Sequence, residues 1–249
     1  GTTGVWGDEQ KIVASDKQVD DRFGTAVSLS GDYAIVGAKN EDPDGLGNAG
    51  AAYIFKRDGT TWSEQQKITA SDRQANDLFG ESVSISGDYA IVGAWLEAPG
   101  GTTNGGAAYI FKRDGTTWSE QQKITASDKQ GNDYFGYSVS LSGDYAIVGA
   151  RTEDTGGGDA GAVYIFKRDG TTWSEQQKIM AGDRQAQDQF GHSVSLSGDY
   201  AIVGAKNEDP DGTNNAGAAY IYKRDGTTWS EQQKIVTSDK QANDEFGFC

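Results

Sequence analysis

Residues Tyr53–Ile68 read YIFKRDGTTWSEQQKI, and the same sixteen residues return from Tyr109 and from Tyr164. A fourth copy, from Tyr220, differs at one place, with Tyr222 in place of Phe. A second phrase, FGxSVSxSGDYAIVGA, precedes the later copies from Phe79, Phe135 and Phe190, and the variant FGTAVSLSGDYAIVGA starts at Phe23. Trp6, Trp62, Trp118, Trp173 and Trp229 are spaced 56, 56, 55 and 56 residues apart. A period of this length marks an array of one supersecondary unit that cannot bury its apolar face alone and stacks on its neighbours.

Within one unit, Ser82-Val83-Ser84-Ile85-Ser86 alternates small polar and apolar residues, the period of a half-buried strand. Gly87-Asp88 predicts a two-residue hairpin turn. Tyr89–Ala94 is nearly all apolar, as in a strand covered on both faces. After a loop, Ala107–Arg113 predicts a third strand, Asp114-Gly115 a turn, and Thr117–Ile124 a fourth. The polar run Gln121-Gln122-Lys123 suits an outer edge, where charge discourages pairing with other chains. Four antiparallel strands and a polar crossing make a propeller blade. In each Phe-Gly pair the aromatic ring wedges between blades and the glycine lets backbones pass closely. The aspartates two residues before it (Asp21, Asp77, Asp133, Asp188, Asp244) are placed to accept backbone N–H bonds in the crossing.

The expected fold is therefore all-β, a β-propeller of four-stranded antiparallel blades: four full repeats plus one surplus outer strand. Residues 1–249 form a single propeller domain, with units at about 23–68, 79–124, 135–179 and 190–235, flanked by partial repeats 1–22 and 236–249. Its 249 residues suffice for a sizeable core. Thirty-five glycines and three prolines suit short strands and tight turns. A net charge of −15 argues against nucleic acid and anionic membranes. No apolar run approaches the ~20 residues of a membrane span, and no leader pattern opens the sequence. The one cysteine, Cys249, allows no internal disulfide.

The order Phe-Gly-x-Ser-Val, Val-Gly-Ala, Gly-Ala-x-Tyr-Ile-Phe resembles the FG-GAP repeat, the blade of integrin α-subunit heads and of many secreted bacterial proteins. The Trp-x-x-x-Gln-Lys-Ile and Ala-Ser-Asp segments are most similar to the bacterial branch. The resemblance implies a β-propeller in an extracellular setting, with roles in adhesion or ligand binding. Integrin-type blades hold calcium on an acidic hairpin between their first two strands. Here that hairpin is only Ser30-Gly31-Asp32-Tyr33 and its equivalents, too few oxygens for a site of six to eight ligands.

The repeats differ chiefly in the loops 39–50, 95–106, 151–161 and 206–217, and at the positions flanking Phe-Gly. After Phe-Gly stand Thr25, Glu81, Tyr137, His192 and Phe248; before it stand Arg22, Leu78, Tyr134, Gln189 and Glu245. Loops on a rigid scaffold are where binding resides, and exposed Trp and Arg dominate hot spots. Lys39, Trp95, Arg151, Lys206, Glu81, Tyr137 and His192 are the candidate ligand-binding residues. Asn-Glu-Asp-Pro-Asp-Gly occurs twice, so Glu41, Asp42, Asp44 and Asn48, with Glu208, Asp209, Asp211 and Asn215, are candidate calcium ligands.

A lone histidine, His192, occupies a position that varies, which reads as a surface or groove residue and not as a catalytic base. Arg57–Trp62 narrowly misses the turn of propeller sialidases. No enzymatic activity is expected; an acid-dependent glycosidase is the remote alternative. The leading expectation is a secreted binding or adhesion module for a glycan or protein. The second is a self-assembling structural propeller. The surplus strand Val5–Val13 fits three arrangements: a ring closed within one chain, a fragment of a larger ring, or pairing between chains. Cys249 offers a further route to a homo-oligomer.

Overall fold

The computed structural model describes residues 9–155 and 157–249. Sixteen strands form four sheets. The first holds β1 (Phe23–Ser30), β2 (Tyr33–Ala38), β3 (Ala51–Asp58) and β4 (Thr61–Ile68). The second holds β5 (Ser82–Ser86), β6 (Tyr89–Ala94), β7 (Ala107–Asp114) and β8 (Thr117–Ile124). The third holds β9 (Phe135–Ser142), β10 (Tyr145–Ala150), β11 (Ala162–Asp169) and β12 (Thr172–Ile179). The fourth holds β13 (Phe190–Ser197), β14 (Tyr200–Ala205), β15 (Ala218–Asp225) and β16 (Thr228–Ile235). Each sheet is antiparallel in chain order, so these are blades 1 to 4 of a propeller. The first strands β1, β5, β9 and β13 lie side by side as the inner edge. The third turn of each unit falls one residue later than expected: Asp114 pairs with Thr117, leaving Gly115 (φ 60°) and Thr116 as the turn.

The blades meet through the residues the repeat keeps constant. Val83 and Ile85 of blade 2 pack on Ile35 and Ile54 of blade 1 in one buried cluster. Phe79 is fully buried, edge-on to Tyr109 and Phe111 at 5.6 and 6.0 Å. A Cβ on Gly80 would overlap the Ala51 carbonyl oxygen, so only glycine fits behind that phenylalanine. Tyr33 meets Trp118 of the next blade edge-on at 5.9 Å, and Tyr89–Trp173 and Tyr145–Trp229 repeat this at 5.8 and 5.9 Å. Burying side chains of this size contributes about 2–3 kcal/mol each. Polar bonds fix the register: Ile85 N–H donates to Ser28 Oγ at 3.1 Å, as Leu141 does to Ser84 and Leu196 to Ser140, both at 3.0 Å.

The outer strand is less of an edge than its sequence suggests. Gln66 Nε2 donates to the Trp118 carbonyl while its Oε1 accepts the Trp118 N–H, both at 2.7 Å. Each blade thus reaches its successor through one amide side chain. The crossing aspartates act as expected: Asp77, Asp133 and Asp188 each accept a backbone N–H three residues upstream at 2.6 Å.

Of the three arrangements left open, a ring closed within one chain does not form among the described residues. Val27 and Leu29 on blade 1 are 70% and 68% exposed, whereas their counterparts Val83 and Ile85 are 7% and 4% exposed. At the other end Tyr200 is 50% exposed and Ile202 38%. The four blades form an open arc with two uncovered faces. The surplus strand Val5–Val13 lies partly outside the described residues. Its described part, residues 9–13, forms no strand but runs beside blade 1, where Gln10 exchanges two 2.8 Å bonds with the backbone of Trp62. No helix among the described residues is long and apolar enough to cross a membrane.

Candidate functional site

Because successive strands alternate direction, the start of the first strand and the ends of the second and fourth lie at the same end of every blade. Two clusters occupy that end, one on the outer side and one on the inner.

On the outer side, the candidate calcium ligands are already engaged. Glu41, 2% exposed, accepts the Lys67 ammonium on Oε1 at 2.6 Å. The same ammonium reaches Asp16 Oδ2 at 2.7 Å, and Asp16 Oδ1 accepts the Tyr53 hydroxyl at 2.7 Å. Blade 4 repeats the motif with Lys234 on Glu208 at 2.6 Å and on Asp183 at 2.7 Å. Blades 2 and 3 build it around Lys123 and Lys178. Burial raises the Glu41, Glu97 and Glu208 carboxyl groups against the pull of their lysines. The other predicted ligands stabilise loops. Asp42 and Asp209 each accept a backbone N–H, from Asn48 and Asn215, at 2.6 Å. Asp44 pairs with Arg73, and Asp211 with Lys240 at 3.1 Å. The Asn48 and Asn215 side chains bond Asn76 and Asn243 at 3.3 Å. No group of three or more His, Cys, Asp or Glu converges for a metal among the described residues. This donor set does not fit calcium, because a lysine ammonium stands where the cation would.

On the inner side, the candidate ligand-binding residues come together. Lys39, Trp95, Arg151 and Lys206 each follow the end of a second strand, while Glu81, Tyr137 and His192 follow Phe-Gly at the start of a first strand. Phe135 pairs with Ala150, which brings the two positions side by side. The Lys39 ammonium meets Glu81 at 2.8 Å, and Trp95 Nε1 donates to the same carboxylate at 3.1 Å. The Trp95 ring stands edge-on to Tyr134 at 4.7 Å and to Tyr137 at 5.7 Å. The Arg151 guanidinium lies over Tyr137 at 4.3 Å, Tyr134 at 5.3 Å and Trp95 at 5.9 Å. Tyr137 touches His192 at 5.0 Å, His192 touches Phe248 at 4.9 Å, and Lys206 lies over Phe248 at 5.3 Å. One band runs unbroken across all four blades.

Of the two readings, surface or groove, His192 fits the second: it is 5% exposed within the band. Burial, with Lys206 and Arg151 nearby, pushes its imidazole down to about 4, so it is neutral at pH 7. Its Nδ1 lies 3.0 Å from the Phe248 carbonyl and donates to it, which leaves Nε2 as an acceptor. Arg151 donates to Gln189 Oε1 at 3.2 Å, and its buried Nε has no hydrogen-bond partner. Tyr134, Gln189 and Phe248 complete the band although they stood outside the candidate set. Their variation between repeats was the signal for them.

Comparison with known proteins supports the fold. The sequence matches the FG-GAP repeat at residues 6–55, 62–111, 118–166 and 173–222. No curated protein matches the chain. A structure assigned as a 6-phosphogluconolactonase from Bacteroides uniformis is similar, with a TM-score of 0.59 at 10% identity over 87% of this chain and 57% of its own. The periplasmic gluconolactonase of Pseudomonas aeruginosa gives 0.56 at 12% identity over 88% of this chain and 59% of its own. The chain therefore spans less than three fifths of the length of these relatives. At such identities the likeness is one of fold. It nevertheless corrects the expectation that the protein is no enzyme: gluconolactonases are built on a similar propeller, so the scaffold does not exclude catalysis.

Proposed function

The chain belongs to the FG-GAP repeat family, and from that premise we propose that it is an extracellular ligand-binding propeller whose inner band takes a glycan bearing isolated acidic groups. The observation that carries this reading is convergence. Positions that differ between otherwise near-identical repeats assemble into one band. The band combines rings that can lie against the apolar faces of sugars with two cations, Arg151 and Lys206. Neither cation pairs with a carboxylate among the described residues. In a molecule of net charge −15, unpaired cations inside an aromatic patch select an anion locally. The same net charge repels a densely sulfated polymer, which favours sparse uronic or sialic groups.

The test is binding of the chain to immobilised neutral and acidic glycans, with matrix proteins alongside. Arg151→Ala and Trp95→Ala are each expected to weaken binding about 30-fold, the effect of losing a ~2 kcal/mol hot spot. Thermal unfolding of Arg151→Ala should stay near that of the parent. Equal binding to neutral glycans would remove the acidic specificity. Binding that neither substitution reduces would remove the band.

A further inference from the structure

The three junctions inside the molecule define what its two uncovered faces lack. At each junction a tyrosine of one blade meets a tryptophan of the next, and an arginine of that next blade lies over the same tyrosine, as Arg113 does over Tyr33 at 4.6 Å. Tyr200 on blade 4 has neither partner among the described residues and is 50% exposed. Trp62 on blade 1 has no tyrosine partner among them, and it is less buried than its equivalents Trp118, Trp173 and Trp229. Ser28, Ser84 and Ser140 each accept an N–H from the following blade; Ser195, their equivalent on blade 4, accepts none among the described residues. Beside Trp62 an apolar groove of about 450 Å³ runs over Ile12, Val27, Leu29, Ala34 and Val36. The two faces are the separated halves of one more junction.

We propose that the open face of blade 4 docks on the open face of blade 1 of a second copy of this chain. A second copy is the occupant because the matching half is part of the same sequence, and the molecule displays the docked geometry three times. The contact is heterologous, with a different surface on each partner. It also requires a local exchange. Gln233, Ser238 and Asp239 repeat Gln10, Ser15 and Asp16, which already bond Trp62, Glu64 and Tyr53. The incoming segment brings the same residue types to the same places, so these bonds are replaced in kind. Residues 10–16 give way, because they form no strand of their own while Gln233 belongs to β16. The net gain is burial of the two apolar faces.

Sedimentation velocity over a concentration series, with reductant present throughout to exclude Cys249 disulfides, tests this. The chain should sediment above its 26.5 kDa monomer as concentration rises. Val27→Lys/Leu29→Lys blocks one face and Tyr200→Asp/Ile202→Lys blocks the other. These four side chains are exposed, so the fold survives their replacement. Each doubly substituted chain alone should be monomeric, and an equimolar mixture of the two should form a dimer and nothing larger. A parent chain that stays monomeric at every concentration overturns the proposal and assigns the faces another occupant. A mixture that fails to dimerise, or one blocked chain that self-associates, overturns the head-to-tail pairing.

Discussion

On the outer side of the arc every blade holds the same lysine between the same two carboxylates. On the inner side no two copies agree on the residue after Phe-Gly. Both clusters sit at the same end of the same strands, so strand geometry alone does not separate them. What separates them is how completely each side chain is determined by its neighbours. Lys123 is held by Glu97 and Asp72, and Asp72 also accepts the Tyr109 hydroxyl at 2.8 Å, so changing any member strands the others. Arg151 is held by ring faces and one amide, partners that tolerate change. Constancy marks the first kind of site and divergence the second.

The largest expected effect comes from breaking the constant side. Glu97 is 2% exposed, and Lys123→Met leaves its carboxylate buried without a cation. The expected loss is about 3 kcal/mol in urea unfolding, the scale for removing one partner of a buried ion pair. Lys123→Met/Glu97→Gln should recover part of that loss, since the stranded charge is gone. A loss as small as the change expected for Arg151→Ala would mean that the two sides do not differ in kind.

A smaller effect separates the buried crossing aspartates from the lysine-bound ones. Burial, opposed only in part by a backbone N–H, pushes Asp77, Asp133 and Asp188 up to about 6. A carboxyl whose folded value is raised favours folding at low pH, and that contribution is lost as pH rises through about 6. Asp72 and Asp128 run the other way. Burial raises them, but hydrogen bonds from Lys123 and Tyr109, or from Lys178 and Tyr164, outweigh it and hold them below the ordinary value, so their contribution is lost as pH falls. Stability should therefore peak near pH 4, falling below it as Asp72 and Asp128 are protonated and falling again up to about pH 6 as the three raised carboxyls ionise. Asp133→Asn keeps an oxygen for the Gln130 N–H and removes the titration, so it should gain about 2 kcal/mol on the parent between pH 4 and 7. Parallel pH curves for the two proteins would refute the assignment.

How much of this was legible in the sequence follows the range of each interaction. Ser82–Ser86 and Tyr89–Ala94 were readable as strands because alternation and apolar runs are local, and the Phe79-Gly80 wedge because it recurs. The engagement of the loop acids was not legible because Glu41 and Lys67 are 26 residues apart, and nothing local marks their meeting. Asn-Glu-Asp-Pro-Asp-Gly looks like a cation site until Lys67 and Arg73 are placed beside it. Gln122 read as an edge residue because its partner, the Trp173 backbone, lies a full repeat away. For the inner band, variation supplied the members but not their order. That Trp95 touches Tyr137 while Arg151 covers both depends on blades meeting at one seam.

The smallest expected effect is the sharpest on the outer side. A calcium site with a dissociation constant of 1 mM would add about 1.4 kcal/mol at 10 mM calcium, a shift of a few degrees in thermal unfolding. The parent chain should show no such gain over chelator, because Lys67 and Lys234 already neutralise Glu41 and Glu208. Lys67→Met turns this into a positive test, since it frees Glu41 and Asp16 close to Asp42 without altering any acid. A calcium-dependent gain confined to that variant would show that the lysine is the built-in substitute for a cation. A gain in the parent would mean that the loops bind metal despite the ammonium, and the outer cluster would then have to be counted with the inner band as a site open to ligands.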